Sequence, residues 1–280
     1  MDIKLIALDL DDTTLSKDGT LSEFNASAIK NAIENGVEVV VASGRNHTSL
    51  PESITSIPGI RYAIVSNGAA IYDLKENRRI GGYCLPESSV LDILSISPQI
   101  ADICYEVVID GTAYCEKRYY DEPLKYGPDT VSPHIAEYIK NTRISCGDIG
   151  GFARENADKL DCMNIVCKSA DICRQLRILL EAQVKNVYLT SSVPHLLEIS
   201  HAMAGKGNGL RKLCGILGIS LSQTAACGNA DNDADMLMAA GIGAAVKNAT
   251  TRCIEASDVV IGDCSENGVG IFINELLNQQ

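Results

Sequence analysis

The 280-residue chain contains no Trp and only three Phe, so its core must be filled by Ile, Leu, Val and Ala. That usage suits a buried parallel sheet covered by helices, whose strands read as continuous aliphatic runs. No run of Lys or Arg occurs, and the formal net charge is −12. Nucleic acid and anionic membranes are bound mainly by neutralising phosphates with basic side chains, so this surface argues against both partners. It leaves room for a phosphorylated small molecule, because one pocket can concentrate positive charge locally. No apolar stretch approaches the roughly 20 residues of a spanning helix. Met1-Asp2-Ile3-Lys4 runs directly into Leu5-Ile6-Ala7-Leu8, too short for the apolar core of a signal peptide. CxxC pairs are absent from the eleven Cys, and Cys162, Cys167 and Cys173 lack zinc-ligand spacing. An odd number of cysteines scattered from Cys84 to Cys264 points to reduced thiols in a cytoplasmic protein, packed as small apolar residues.

The hydrophobic fraction of 46% and the absence of low-complexity tracts describe a fully folded chain, long enough for two compact domains. Its opening alternates strand and helix patterns. Ile3 to Leu8 is a buried strand, and Ser22 is a candidate N-cap. Asn25 to Glu34 carries apolar residues at helical spacing and is closed by Gly36. Val37 to Ala42 and Tyr62 to Val65 are further buried strands. Short connections between such elements imply right-handed crossovers and a parallel sheet.

The middle of the chain reads differently. Cys104 to Ile109 and Thr112 to Cys115 flank Asp110-Gly111, a hairpin signal. Helices near Pro133 to Ile139 and Ala170 to Leu180 mix with strands near Met163 to Cys167 and Val187 to Thr190. Strand-helix alternation then returns around His195 to Ile199. It continues through a helix at Leu210 to Leu217, a strand at Thr224 to Cys227, a helix at Asp231 to Ala240, a strand at Gly243 to Val246 and a closing helix at Val269 to Leu277. The expected architecture is α/β: a doubly wound, mostly parallel, Rossmann-like sheet from residues 1–82 and 194–280, with an α+β module inserted at 83–193.

Four segments carry chemistry. The first strand ends in Asp9-Leu10-Asp11-Asp12-Thr13, at the strand edge where α/β sheets bind ligands. Asp9 and Asp11, two apart, can face one pocket; neighbouring carboxylates repel unless a cation or a proton intervenes. That division suits a nucleophile paired with a general acid/base. Taken alone, Asp-Asp-Thr is also an ordinary solvated turn. The second strand ends in Ser43-Gly44-Arg45, whose hydroxyl and amides form a phosphate cradle or simply a turn. Gly205-Lys206-Gly207-Asn208-Gly209 fails the P-loop pattern, because Ser200 stands at the upstream glycine position and Gly207 follows the lysine. Lys206 is better read as a point charge for a phosphoryl group. Gly228-Asn229-Ala230-Asp231-Asn232-Asp233 offers oxygen donors suited to Mg²⁺, or the capping acids of a helix start.

In order and spacing these pieces resemble the haloacid dehalogenase superfamily, in particular its Cof-type sugar-phosphatase branch. The resemblance rests on Asp9-x-Asp11-x-Thr13, Ser43-Gly44-Arg45, Asn67-Gly68-Ala69, Lys206-Gly207, Asn232-Asp233, Val246-Lys247-Asn248-Ala249 and Asn267-Gly268-Val269. It covers both ends of the chain, whereas the insert matches a cap domain in position and pattern more than in sequence. The resemblance implies a Mg²⁺-dependent phosphatase acting on a small phosphorylated metabolite through an aspartyl phosphate. Asp9 would be the nucleophile and Asp11 the general acid/base. Ser43, Lys206, Asn232 and the Leu10 and Gly44 amides would hold the phosphoryl group. Asp9, the Asp11 carbonyl, Asn229 and Asp233 would hold the metal, with Thr13, Arg45 and Asn67 in supporting positions.

The chain departs from the family at Asn229, where an Asp is usual, and at Lys247, where Met is frequent. Asn229 keeps alive a catalytically silent phospho-ligand binder as an alternative, and related folds also include phosphomutases. A phosphotransfer receiver domain is excluded, since no Asp lies between Val39 and Tyr72 to accept phosphate.

Overall fold

The computed structural model describes residues 2–100, 102–128 and 131–278. Its strands are β1 (Leu5–Leu8), β2 (Glu38–Ala42), β3 (Tyr62–Val65), β4 (Ala70–Asp73), β5 (Arg78–Gly82), β6 (Cys104–Ile109), β7 (Thr112–Glu116), β8 (Ile144–Cys146), β9 (Leu160–Val166), β10 (Val187–Thr190), β11 (Leu196–His201), β12 (Thr224–Gly228), β13 (Ile242–Val246) and β14 (Val259–Ile261). Two compact units result. The first comprises Met1–Arg45, Leu50–Gly82 and Gly205–Gln280; the second comprises Asn46–Ser49 and Tyr83–Ala204.

The first unit is built on an eight-stranded sheet, ordered β14-β13-β12-β1-β2-β3-β4-β5. It is parallel from β14 to β3, and β4 and β5 extend it as an antiparallel hairpin. Every residue of β1 is buried, because helices cover both faces. Ile6 and Leu8 pack with Ala28, Ile29, Phe272 and Ile273, while Leu5 and Ala7 point the other way, toward Leu210, Leu213 and Met236. The helix Glu23–Glu34 starts where the Ser22 hydroxyl accepts the Asn25 N–H (3.1 Å), and ends before Gly36, whose φ of +81° suits only glycine well.

The second unit holds a six-stranded sheet, ordered β10-β11-β9-β6-β7-β8 and antiparallel except for the β7–β8 pair. The helices Glu87–Ile96, Ile149–Glu155 and Ala170–Gln183 contribute to the core on one face, around Val107, Met163, Ile165 and Leu197. The β6–β7 turn uses positive φ at both Asp110 (47°) and Gly111 (73°), as a two-residue hairpin loop requires.

One sequence expectation needs correction. β11 does not return to the parallel sheet: it pairs antiparallel with β9 and β10, so the second unit runs to Ala204, past the expected boundary at residue 193. The alternation of Leu197 and Ile199 with Glu198 and Ser200 marks a strand but does not say which sheet receives it. The β4–β5 hairpin and the helix Glu87–Ile96 were not anticipated.

Among the described residues no helix is long and apolar enough to cross a membrane. All eleven cysteines are free thiols, and all but Cys84 and Cys146 are buried.

Asn25 ties the two ends of the first unit together. Its Nδ2 donates to the Thr14 carbonyl (3.0 Å), and its Oδ1 accepts the Gly270 N–H (2.9 Å) at the start of the helix Gly268–Asn278. Removing the amide strands two buried backbone groups. We expect Asn25→Ala to cost about 2 kcal/mol, measured by urea denaturation; an unchanged midpoint would show that the bridge contributes nothing.

Candidate active site

The site is assembled from loops at the carboxyl ends of four adjacent strands, β1, β2, β3 and β12, and from the start of the helix Lys206–Leu217. Register pairs Leu8 with Val41 on one side and with Cys227 on the other, so Asp9 leaves the sheet between the ends of β2 and β12. On one side the chain order runs β1 to β3, on the other β12 to β14, so β1 stands where the order reverses. Such a reversal parts the flanking loops and opens a crevice.

Asp9 is held first by its backbone. Its N–H donates to the Cys227 carbonyl (3.0 Å), and its own carbonyl accepts the Thr14 hydroxyl (2.6 Å). Leu10 is fully buried in the core and anchors the turn Leu10–Thr14, which the Leu15 N–H closes on the Leu10 carbonyl (2.9 Å). Within that turn Asp12 adopts a left-handed φ of 56°, a conformation that Asp tolerates better than most residues. Its carbonyl accepts from Asn248 Nδ2 (2.8 Å), and Asn248 Oδ1 in turn accepts the Cys264 N–H (3.0 Å).

The Lys206 ammonium, only 1% exposed, donates to Asp9 Oδ1 (2.6 Å) and to Asp233 Oδ1 (2.5 Å). Two buried carboxylates therefore share one cation. Burial, then repulsion from Asp233, pushes the Asp9 carboxyl up to about 7 despite the lysine. The lysine moves further above its usual range, because attraction to Asp233 and Asp9 outweighs its own desolvation.

Asp233, expected as a metal ligand, meets protein groups with both its oxygens. Oδ1 holds Lys206, and Oδ2 accepts the N–H groups of Asn229 (3.0 Å) and Ala230 (2.9 Å). The residue shapes the loop and fixes the lysine.

Asp11 is more exposed. Arg45 grips it through a two-pronged pair, Nε to Oδ2 (2.9 Å) and a terminal nitrogen to Oδ1 (2.7 Å). Ser43, buried directly after β2, donates its N–H to the Ile64 carbonyl (2.9 Å), and its hydroxyl accepts the Arg45 N–H (3.1 Å). Gly44 lies between them. The Asn67 N–H donates to the Ser43 carbonyl (3.1 Å), and the Gly205 N–H to the Asn67 carbonyl (2.8 Å), which links these loops to the residue before Lys206. Asn232 Nδ2 donates to Asn67 Oδ1 (2.9 Å). Hydrogen bonds thus tie Ser43 to Asn67, and Asn67 both to Asn232 and to the residue preceding Lys206. Asn232 Oδ1 and the Thr13 hydroxyl are buried with no protein partner, as expected of groups that serve a polar ligand. Lys247 is exposed.

Three residues outside the sequence expectations hold this arrangement: Thr14, Asn248 and Asp235. The Val246–Ala249 segment drew attention without suggesting that Asn248 would span two loops. Asp235 showed only as one more acid in a helix start, yet its Oδ2 accepts the Gly207 N–H (3.0 Å).

A carboxylate against an ammonium, with unpaired polar groups and loop amides nearby, is equipped to receive a tetrahedral oxyanion. The model of the haloacid dehalogenase-like hydrolases matches residues 6–273. The chain belongs to this family. Phosphatase YwpJ of Bacillus subtilis (strain 168) is 31% identical over 98% of this chain and 100% of its own length. The 5-amino-6-(5-phospho-D-ribitylamino)uracil phosphatase YwtE of the same organism is 29% identical over 99% of each chain. A solved haloacid dehalogenase-like hydrolase from B. subtilis superposes with a TM-score of 0.82 at 28% identity, over 98% of this chain and 100% of that one. This haloacid dehalogenase-like hydrolase is a phosphatase, a phosphoric monoester hydrolase.

Replacing Lys206 by Met leaves two buried carboxylates without their cation, a loss of about 3–5 kcal/mol. Thermal unfolding should therefore show a sharply lower midpoint for Lys206→Met, and Lys206→Met/Asp233→Asn should recover part of the loss. A double variant no more stable than the single one would show that the carboxylate pair is not the source.

Proposed function

We propose that this phosphatase hydrolyses small phosphorylated metabolites, sugar phosphates foremost, with Asp9 as the nucleophile. The observation that carries the reading is the Lys206 ammonium at Asp9 Oδ1, at the carboxyl edge of β1. It orients one oxygen of the carboxylate and supplies positive charge where phosphoryl oxygens would lie. Phosphoryl transfer depends mainly on such positioning and charge neutralisation.

In the first step an Asp9 oxygen bonds to phosphorus, the bond to the ester oxygen breaks, and Asp11 gives that oxygen a proton. In the second, water attacks the aspartyl phosphate, Asp11 takes its proton, and inorganic phosphate leaves with Asp9 regenerated. Arg45 binds both Asp11 oxygens, so the acid step requires one of those hydrogen bonds to yield to a proton. Lys206, the Ser43 hydroxyl, Asn232 and the Leu10 and Gly44 amides hold the phosphoryl group. Thr13 offers its unpaired hydroxyl, while Asn67 positions Asn232.

The residues present also fit Mg²⁺, with a reduced donor set. Among the described residues no three His, Cys, Asp or Glu side chains gather as a metal site, and both oxygens of Asp233 already accept hydrogen bonds from Lys206 and two loop amides. What remains suits an ion that takes oxygen ligands and keeps several waters: Asp9, the Asp11 carbonyl and the Asn229 side chain. Two buried carboxylates on one ammonium leave negative charge in surplus. When bound, the ion would neutralise charge on the transferring phosphoryl group.

On this reading the unit containing Tyr83–Ala204 is the cap of the family. The net charge of −12 argues against nucleic acid and anionic membrane as partners, and eleven free thiols suit a reducing cytoplasm. Sugar phosphates are favoured because the relative YwtE is named for a phosphorylated ribityl compound.

Purified protein should release inorganic phosphate from a panel of phosphorylated sugars and sugar alcohols in Mg²⁺ buffer. Asp9→Asn should lower the rate by on the order of 10³ or more; an active Asp9→Asn would rule out the nucleophile assignment. Asn229→Asp adds a carboxylate to the donor set and should tighten Mg²⁺ binding about ten-fold in a calorimetric titration. Equal affinities would remove Asn229 from the metal site.

A further inference from the structure

The helix Lys206–Leu217 begins without a capping side chain of its own, because its N-cap is Gly205. An uncapped start leaves the first N–H groups without partners at the place where Lys206 must be held rigidly. The structure fills that gap from a distant segment. Asp235 Oδ2 accepts the Gly207 N–H at 3.0 Å, and Asp235 Oδ1 is buried with no partner.

The two glycines around Lys206 show how closely this carboxylate approaches. A Cβ at Gly205 would stand 2.5 Å from Asp235 Oδ2, and one at Gly207 would stand 2.3 Å from the Asp235 carbonyl. Gly205 also has a φ of +112°, which side chains rarely adopt. Gly205 and Gly207, which flank Lys206, both make room for Asp235.

We infer that Asp235 is a positioning residue: by capping the Lys206 helix from across the loop, it holds the Lys206 ammonium between Asp9 and Asp233. Asp235 accepts from the Gly207 N–H, one residue beyond the lysine, and so acts on the ammonium through the helix. Its carboxylate also meets the positive end of the helix dipole, which reinforces the cap. The inference rests on the proposed role of Lys206 at Asp9, and its test separates the two.

The experiment compares wild type, Asp235→Ala and Asp235→Asn; the Asn variant keeps an oxygen that can accept the Gly207 N–H. The first readout needs no turnover: acylation of Lys206 by acetic anhydride, followed by peptide mass spectrometry. Lys206 should react slowly in wild type, about ten-fold faster in Asp235→Ala, and near the wild-type rate in Asp235→Asn. The second readout is p-nitrophenyl phosphate hydrolysis in Mg²⁺ buffer, with Asp9→Asn as control. Asp235→Ala should lower kcat by about ten-fold with KM changed by less than about three-fold, and Asp235→Asn should restore most of it. Unchanged Lys206 acylation in a folded Asp235→Ala overturns the positioning role, whatever the activity. Faster acylation with an unchanged kcat reduces Asp235 to a structural cap and overturns it too. If Asp9→Asn hydrolyses the ester as fast as wild type, the nucleophile reading fails, and the acylation rates still decide the role of Asp235. Should Asp235→Ala prove too unstable to assay, Asp235→Leu is the substitute: it fills the space without an acceptor, and it must reproduce the faster acylation.

Discussion

An ammonium buried between two carboxylates is the constraint on which the first unit depends. Desolvating Lys206 is costly, and the cost is met only because Asp9 and Asp233 both lie within 2.6 Å of its nitrogen. The three come from the end of β1, from the start of a helix some 200 residues later, and from the loop after β12. Their meeting requires β1 and β12 to be neighbours in the sheet, as the register from Leu5–Thr224 to Leu8–Cys227 makes them. The parallel sheet is thus the device that brings two remote chain segments to one edge, and the charge triad holds them there.

Close backbone approach follows from the same demand. A Cβ at Gly68 would stand 2.1 Å from the Gly205 carbonyl, so the loop after β3 and the start of the Lys206 helix touch backbone to backbone. The contact is sealed by the hydrogen bond from the Gly205 N–H to the Asn67 carbonyl. Asn67 can serve both its backbone neighbours and Asn232 because its own φ of 53° turns the side chain and the main chain to different partners. Small or left-handed residues at these joints are what allow four loops to share so little volume.

Much of this was legible in the sequence, and the remainder was hidden for identifiable reasons. Asp9 and Ser43 each follow a strand directly, where an aliphatic run stops at a polar residue, and Lys206 opens a helix; each is ambiguous alone and gains its meaning from the four segments together. The Asp110-Gly111 turn is plain, since few residue pairs accept two positive φ angles. β11 was read into the wrong sheet because alternation reports a half-buried strand and nothing about its partner. The lysine and amide contacts of Asp233 were hidden because a carboxylate in an oxygen-rich loop looks the same in sequence whether it faces a metal, a lysine or two amides. The work of Asp235 and Asn248 was invisible for a related reason: both cap or bridge segments far away in the chain, while local capping rules look only three or four residues ahead.

The charge balance of the triad also gives Asn229 a physical meaning beyond that of a missing ligand. Its N–H already donates to Asp233, so a carboxylate at this position would add a further negative charge close to that acid. Repulsion would then fall on Asp9, whose carboxyl is already pushed up to about 7 by burial and by Asp233. With Asn, two buried acids share the ammonium, and less repulsion falls on them. On the proposed metal site, the substitution that weakens attraction for a divalent ion is thus the one that eases repulsion in its absence, because both effects are set by how many carboxylates face one cation.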